Sequence, residues 1–193
     1  GRLDLGPLST NIQEKDVLLF TFHISAKGGD VGLRSIKLNL DQSIASDNDI
    51  ENIRIYRDNW SGDFSISEDS RVSKYDEAFA NGEVDVELEA GVAIPDVQEG
   101  TLYFVVGDIP IDAVTGHIIS IELSSTASIT LAEDYHVIEG DCPITANTLY
   151  IDRYISQVEV ELDDSVGAGA MAMASLQKQD AVVSVPQDSA ILA

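Results

Sequence analysis

Glu83-Val84-Asp85-Val86-Glu87-Leu88-Glu89 alternates without a break. In an extended chain Val84, Val86 and Leu88 share one face, and the four carboxylates share the other. Such a strand belongs to an antiparallel sheet with one face buried and one in water. Asn81-Gly82, immediately before it, is a turn signal.

The same pattern recurs on both sides. Upstream, residues 16–25 read as a strand with Leu18, Phe20, Phe22 and Ile24 on one face and Thr21, His23 and Ser25 on the other. Lys27-Gly28-Gly29-Asp30 is a turn. Residues 31–40 follow, with Ile36, Leu38 and Leu40 in register and a bulge expected at Arg34-Ser35. Ile53-Arg54-Ile55-Tyr56 is strand-like, and residues 71–75 form a short strand. Downstream, residues 101–106 place Leu102, Phe104 and Val106 on one face. Residues 117–124 do the same with Ile119, Ile121 and Leu123. Residues 128–131, 135–138 and 144–151 are shorter strands. Helical periodicity is confined to one turn at 111–115. Short strands at roughly ten-residue spacing, divided by turn signals, predict an all-β protein, an antiparallel β-sandwich of Ig-like or jelly-roll type.

That module spans residues 1–152. Residues 153–193 differ: a further strand over 155–162, then an extended C-terminal tail. The tail contains Val166-Gly167-Ala168-Gly169-Ala170-Met171-Ala172-Met173-Ala174, and later the β-prone run 181–185. A solvated linker is rich in Ser, Gly, Pro and Glu. Small apolar residues at alternate positions instead suit a strand pressed into a groove. Val166, Ala168, Ala170, Met171, Met173, Val183 and Val185 are therefore the candidate assembly residues, with the lead-in at 3–8 as a competing donor.

Composition narrows the partners. The chain has 193 residues and a formal charge of −23, which repels nucleic acid and anionic membranes. It suits divalent cations, a salty medium or plain solubility. No run of 18 apolar residues occurs, so no membrane-inserted helix is expected. The single cysteine, Cys142, forms no intrachain disulfide and reads as a small buried or semi-buried side chain rather than a functional thiol. With no basic and apolar leader at the N-terminus, any signal peptide is expected to have been removed, and a type IV pilin is disfavoured.

Candidate chemistry concentrates in residues 58–69. Asp58, Asn59, Ser61, Asp63, Glu68 and Asp69 offer oxygen ligands of the kind calcium takes, and Asp58 and Asp69 have the first-to-twelfth offset of an EF-hand loop. Trp60 occupies the third position, and the glycine of the sixth position sits one place early, at Gly62. A solvated hairpin loop is the competing reading. Asn59-Trp60-Ser61 is also an N-glycosylation sequon. Trp60, the chain's one tryptophan, suits either a carbohydrate-stacking surface or an anchor for the loop. Asp47, Asn48, Asp49 and Glu51 make a second, weaker oxygen cluster. Catalysis has little support. His23, His117 and His136 lack ligand spacing, no Ser/His/Asp order or carboxylate pair stands out, and no phosphate-cradling loop occurs. No enzyme is expected.

The order of these features resembles the extracellular β-sandwich modules of secreted bacterial and archaeal surface proteins. The matching pieces are Leu5-Gly6-Pro7, Phe20-Thr21-Phe22, Gly29-Asp30-Val31 leading into Leu38-Asn39-Leu40, and Ile50-Glu51-Asn52-Ile53-Arg54-Ile55-Tyr56-Arg57-Asp58. They continue with Leu102-Tyr103-Phe104-Val105-Val106-Gly107-Asp108-Ile109, His117-Ile118-Ile119-Ser120-Ile121 and Cys142-Pro143-Ile144. The resemblance implies a non-catalytic module at the cell surface. It also implies a loop related to an Asp-x-Asn-x-Asp-Gly calcium loop, from which Trp60 and the order Gly62-Asp63 depart.

Two functions follow as expectations. The first is a structural subunit of an extracellular filament, pilus or surface layer, a head-to-tail homopolymer formed by strand addition. The second is a calcium-stabilised adhesin or carbohydrate-binding module of a larger surface protein.

Overall fold

The computed structural model describes residues 8–96, 100–133, 138–146 and 148–152. The chain divides into two units, Gly1–Arg153 and Tyr154–Ala193, and every described element belongs to the first. The expected strand at 155–162 and the candidate assembly residues Val166 to Val185 lie outside the described residues, as do the lead-in up to residue 7 and His136.

The fold is all-β, with several antiparallel sheets packed around one core. The strands are β1 (Leu8–Asn11), β2 (Val17–Ile24), β3 (Val31–Leu40), β4 (Glu51–Arg57), β5 (Ser70–Arg71), β6 (Glu83–Glu87) and β7 (Ala93–Ile94). They continue as β8 (Thr101–Asp108), β9 (Ile118–Ile119), β10 (Ile121–Leu123), β11 (Ile129–Leu131), β12 (Ile144–Thr145) and β13 (Leu149–Asp152). One sheet runs β2-β8-β4-β5. A second runs β11-β3-β10-β12, with β6 and β7 also paired to β3. A third runs β1-β13-β9, in which β1 and β13 are parallel.

The strand quoted at the outset behaves as its alternation requires. Val84, Val86 and Leu88 are buried, while Glu83, Asp85 and Glu87 face water. β6 pairs with β3 so that Val84 lies opposite Leu38 and Val86 opposite Ile36. The core takes Phe20, Phe22, Ile53, Ile55, Tyr103 and Val105 from the first sheet. Ile36, Leu38 and Ile121 come from the second, and Ile119 and Ile151 from the third. Gly107 lets the layers close: a Cβ there would lie 2.8 Å from both Leu19 Cδ1 and Ile50 Cγ2.

Four sequence expectations need correction. The run 117–124 is not one strand. β9 joins the third sheet and β10 the second, and the chain changes sheet at Ser120. Residues 144–151 divide in the same way, into β12 and β13. Alternation continues across both crossings because the layers face a common core, so a period of two does not report which sheet a strand joins. Leu18 does not share a face with Phe20. The pairing of β2 with β8 shifts between Leu18 and Phe20, and Leu19 enters the main core instead. The expected helical turn at 111–115 is a non-helical turn. Single 3-10 turns occur instead at Asp47–Asp49 and Thr126–Ser128.

β8 is buried along its whole length. Tyr103 and Val105 enter the main core, while Leu102, Phe104 and Val106 form a second cluster on the outer face with Tyr56. A sheet face in this position is normally wet. Here Leu18 and Phe64 pack over it.

Candidate functional site

The acidic stretch 58–69 is the loop of a hairpin. β4 and β5 pair antiparallel, with Tyr56 opposite Arg71 and Arg57 opposite Ser70. The loop is held by its own carboxylates. Asp69 is buried; its Oδ1 accepts from the Asn59 N–H at 3.0 Å and its Oδ2 from the Ser65 N–H at 2.7 Å. At the other end Asp58 Oδ1 accepts from the Ser61 N–H at 3.1 Å and the Gly62 N–H at 3.2 Å. Asn59 Oδ1 also accepts from the Ser61 N–H, at 3.0 Å. Asp63 and Glu68 are exposed. Thus the six oxygen-bearing residues are brought into one loop, but the carboxylates of Asp58 and Asp69 face amide donors. Among the described residues no group of three or more His, Cys, Asp or Glu side chains is arranged to hold a metal ion.

Phe64, not Trp60, anchors this loop. The Phe64 ring meets Tyr56 edge-on at 5.4 Å and Phe104 at 5.5 Å between centroids. Trp60 is 68% exposed and has φ 78°. That backbone conformation is uncommon for a bulky residue. It is accommodated by the turn that Asp58 and Asn59 close around it.

The weaker oxygen cluster is pulled apart. Asp47 Oδ1 accepts from Gln42 Nε2 and from the Gly82 N–H, both at 2.9 Å. Asp49 is buried and accepts from the Ser46 N–H at 2.6 Å and the Val114 N–H at 2.8 Å, and its Oδ2 lies 2.7 Å from His117 Nδ1. Asp49 thus ties a 3-10 turn to the loop before β9. His23 is exposed on β2.

One buried ionic cluster escaped the sequence reading. Asp108, at the end of β8, accepts from the Asp16 N–H at 3.0 Å and from Asn52 Nδ2 at 2.9 Å, and it is ion-paired with Arg54. Arg54 also lies 3.1 Å from Asp16. Burial pushes the Asp108 carboxyl up, but the Asp16 N–H, the Asn52 amide and the Arg54 guanidinium outweigh it and hold the group below the usual carboxylate range. The cluster joins β2, β4 and β8 at one pole of their sheet.

At the other pole lies a cleft of about 590 Å³. The segment ending β2 forms one wall, through Ile24 and Ala26. Leu131, Cys142 and Ile144 also line it, together with polar side chains that include His23, Lys27, Thr126 and Asp141. The five apolar side chains are only partly buried, yet all pack against the main core. β2 is the outermost strand of its sheet, and β12 is the outermost of the second. The cleft therefore opens where two sheets each come to an end. Sequence reasoning missed it, because residues from five separate segments meet there. The available signal was Ala26, an apolar residue that extends the alternation of β2 into a turn.

No family model matches the chain, and no curated protein matches it. Among solved structures, Hadza microbial sialidase Hz136 aligns at 15% identity with a TM-score of 0.37, over 75% of this chain and 30% of that one. The chain thus spans about 30% of that protein's length, and a similarity of this order carries no argument about function.

Proposed function

We propose that this chain is a non-catalytic structural subunit of an extracellular filament, pilus or surface layer, joined to its neighbours by strand addition. The observation that carries the reading is β2. It is an eight-residue strand at the margin of its sheet, and among the described residues no strand pairs with its outer edge. An open edge of that length is a template for pairing with another chain. Beyond the sandwich lie residues 153–193, with small apolar side chains at alternate positions over 166–174. Strand addition supplies main-chain hydrogen bonds, and a head-to-tail contact of this kind propagates a polymer. The buried carboxylates Asp49, Asp69 and Asp108 all serve to hold loops and strands, which supports a non-catalytic role.

Electron microscopy of the purified chain should show filaments, tubes or sheets. A chain lacking residues 165–193 should remain a folded, soluble monomer. Polymerisation of that truncated chain would overturn the tail as the donor strand.

A second reading has one observation in its favour. Trp60 stands exposed at the tip of a loop closed by hydrogen bonds, a suitable platform for a sugar ring in an adhesin or carbohydrate-binding module. Quenching or a shift of Trp60 fluorescence by an oligosaccharide, lost in Trp60→Ala, would support it. A flat titration across a glycan panel would remove it.

A further inference from the structure

We infer that the cleft at the end of β2 is the acceptor site for the assembly proposed above, and that its occupant is the segment 166–174 of a second copy. This rests on the strand-addition reading and assigns it a place. Three observations converge. First, residues 23–27, at the end of β2, line the cleft, and among the described residues no strand pairs with the outer edge of β2, so one incoming strand can pair with β2 and reach the cleft. Second, Ile24, Ala26, Leu131, Cys142 and Ile144 leave an apolar surface only partly covered, continuous with the core. Filling such a surface with apolar side chains removes it from water.

Third, the chain leaves the sandwich at the opposite pole. The Ile12 N–H donates to the Asp152 carbonyl at 3.2 Å, and the Gln13 N–H to the Ile109 carbonyl at 2.8 Å. Asp152 therefore lies beside the start of β2, where Val17 pairs with Gly107, whereas the cleft adjoins its end, where Ile24 pairs with Thr101. Eight residues of strand separate the poles by about 25 Å. Exit at one pole and acceptor at the other is the arrangement that repeats head to tail.

The segment itself suits the cleft. In an extended chain Val166, Ala168, Ala170, Ala172 and Ala174 lie on one face, and Gly167, Gly169, Met171 and Met173 on the other. The alanine face permits close approach of two backbones. The methionines, unbranched and flexible, can cover the apolar part of the cleft, Ile24, Ala26, Leu131, Cys142 and Ile144.

Cys142 supplies the test, being the single cysteine and lining the cleft. Gly169→Cys, Met171→Cys and Met173→Cys, on the face that fills the cleft, are introduced one at a time into the full chain, which is assembled and mildly oxidised. A disulfide forms only when the two Cα atoms approach to within about 7 Å. At least one variant should give a ladder of covalent multimers on a non-reducing gel. Peptide mapping of mixed light and heavy isotope-labelled chains should find the bridge to Cys142 between copies. Adding Cys142→Ser should abolish the ladder.

Polymers that form but never cross-link to Cys142 would overturn this acceptor site and leave strand addition standing. A bridge confined to single chains would overturn the second copy as donor. Polymerisation of the chain lacking 165–193 would overturn segment 166–174 as the occupant, whatever else joins the copies.

Discussion

The Asn59 N–H, one residue into the acidic loop, donates to the carboxylate of Asp69 across 3.0 Å. With the Ser65 N–H on its other oxygen, Asp69 closes the hairpin between β4 and β5. Asp69→Ala leaves both amides without that partner and should destabilise the protein by about 1–3 kcal/mol. Urea denaturation should show the loss, and amide exchange at Asn59 and Ser65 should accelerate. Unchanged exchange at both would contradict the assigned role.

The same closure makes a statement about divalent cations. Because protein donors hold Asp58 and Asp69, the loop is expected to keep its shape without a metal. Treatment with a chelator should shift the melting temperature by less than the roughly 2–4 °C that 1 kcal/mol produces in a protein of this size. A larger fall, reversed by calcium, would place a cation among Asp58, Asp63 and Glu68.

Phe64 and Trp60 should differ sharply in their contributions. Phe64 covers Tyr56 and Phe104, so Phe64→Ala should cost about 2 kcal/mol, below the roughly 3–5 of a fully buried ring. Trp60→Ala removes an exposed side chain and should stay within about 0.5 kcal/mol of the parent. Chemical denaturation of the two variants side by side would reverse the anchoring assignment if their order were inverted.

Asp108 sets an acid limit on stability. Its carboxyl is held below the usual range in the folded chain, whereas the unfolded chain titrates near the ordinary value of about 3.9. The unfolded state therefore binds the proton more readily. The stabilisation is complete above that ordinary value and is lost as pH falls through it toward the folded value. Asp108→Asn should lower stability by about 1–3 kcal/mol near neutrality, because the Asp16 N–H and the Asn52 amide lose a charged acceptor and Arg54 keeps only Asp16. It should also flatten the dependence of melting temperature on pH below about 4. An acid limb as steep as that of the parent would count against Asp108 as its source.

Much of the sandwich was legible because alternation reports which side chains meet the core, as Val84, Val86 and Leu88 do. What alternation does not encode is partner choice. Ile118 and Ile119 join one sheet, and Ile121 to Leu123 another, although the sequence runs through Ser120 with no change of pattern. The outer face of β8 was hidden for a related reason. Phe64 lies in a stretch that reads as polar, and its burial depends on the fold of that loop over Phe104. The carboxylates of residues 58–69 were found as a group, but not their use. Ligand spacing along a chain does not reveal whether a carboxylate will meet a cation or a backbone amide. The cluster around Asp108 joins positions 16, 52, 54 and 108, and no local pattern connects these.

The parallel pairing of β1 with β13 has a mechanical consequence. Leu8 lies opposite Leu149 and Asn11 opposite Asp152, so traction on the two ends of the sandwich draws these neighbouring strands past each other along their length. The ladder is then sheared as a unit, not peeled open one bond at a time. Rupture under load follows the barrier to unfolding and not the equilibrium stability. Single-molecule stretching from residues 8 and 152 should therefore meet one abrupt, high-force event, and replacing Thr10 in the middle of the ladder by proline should lower that force markedly.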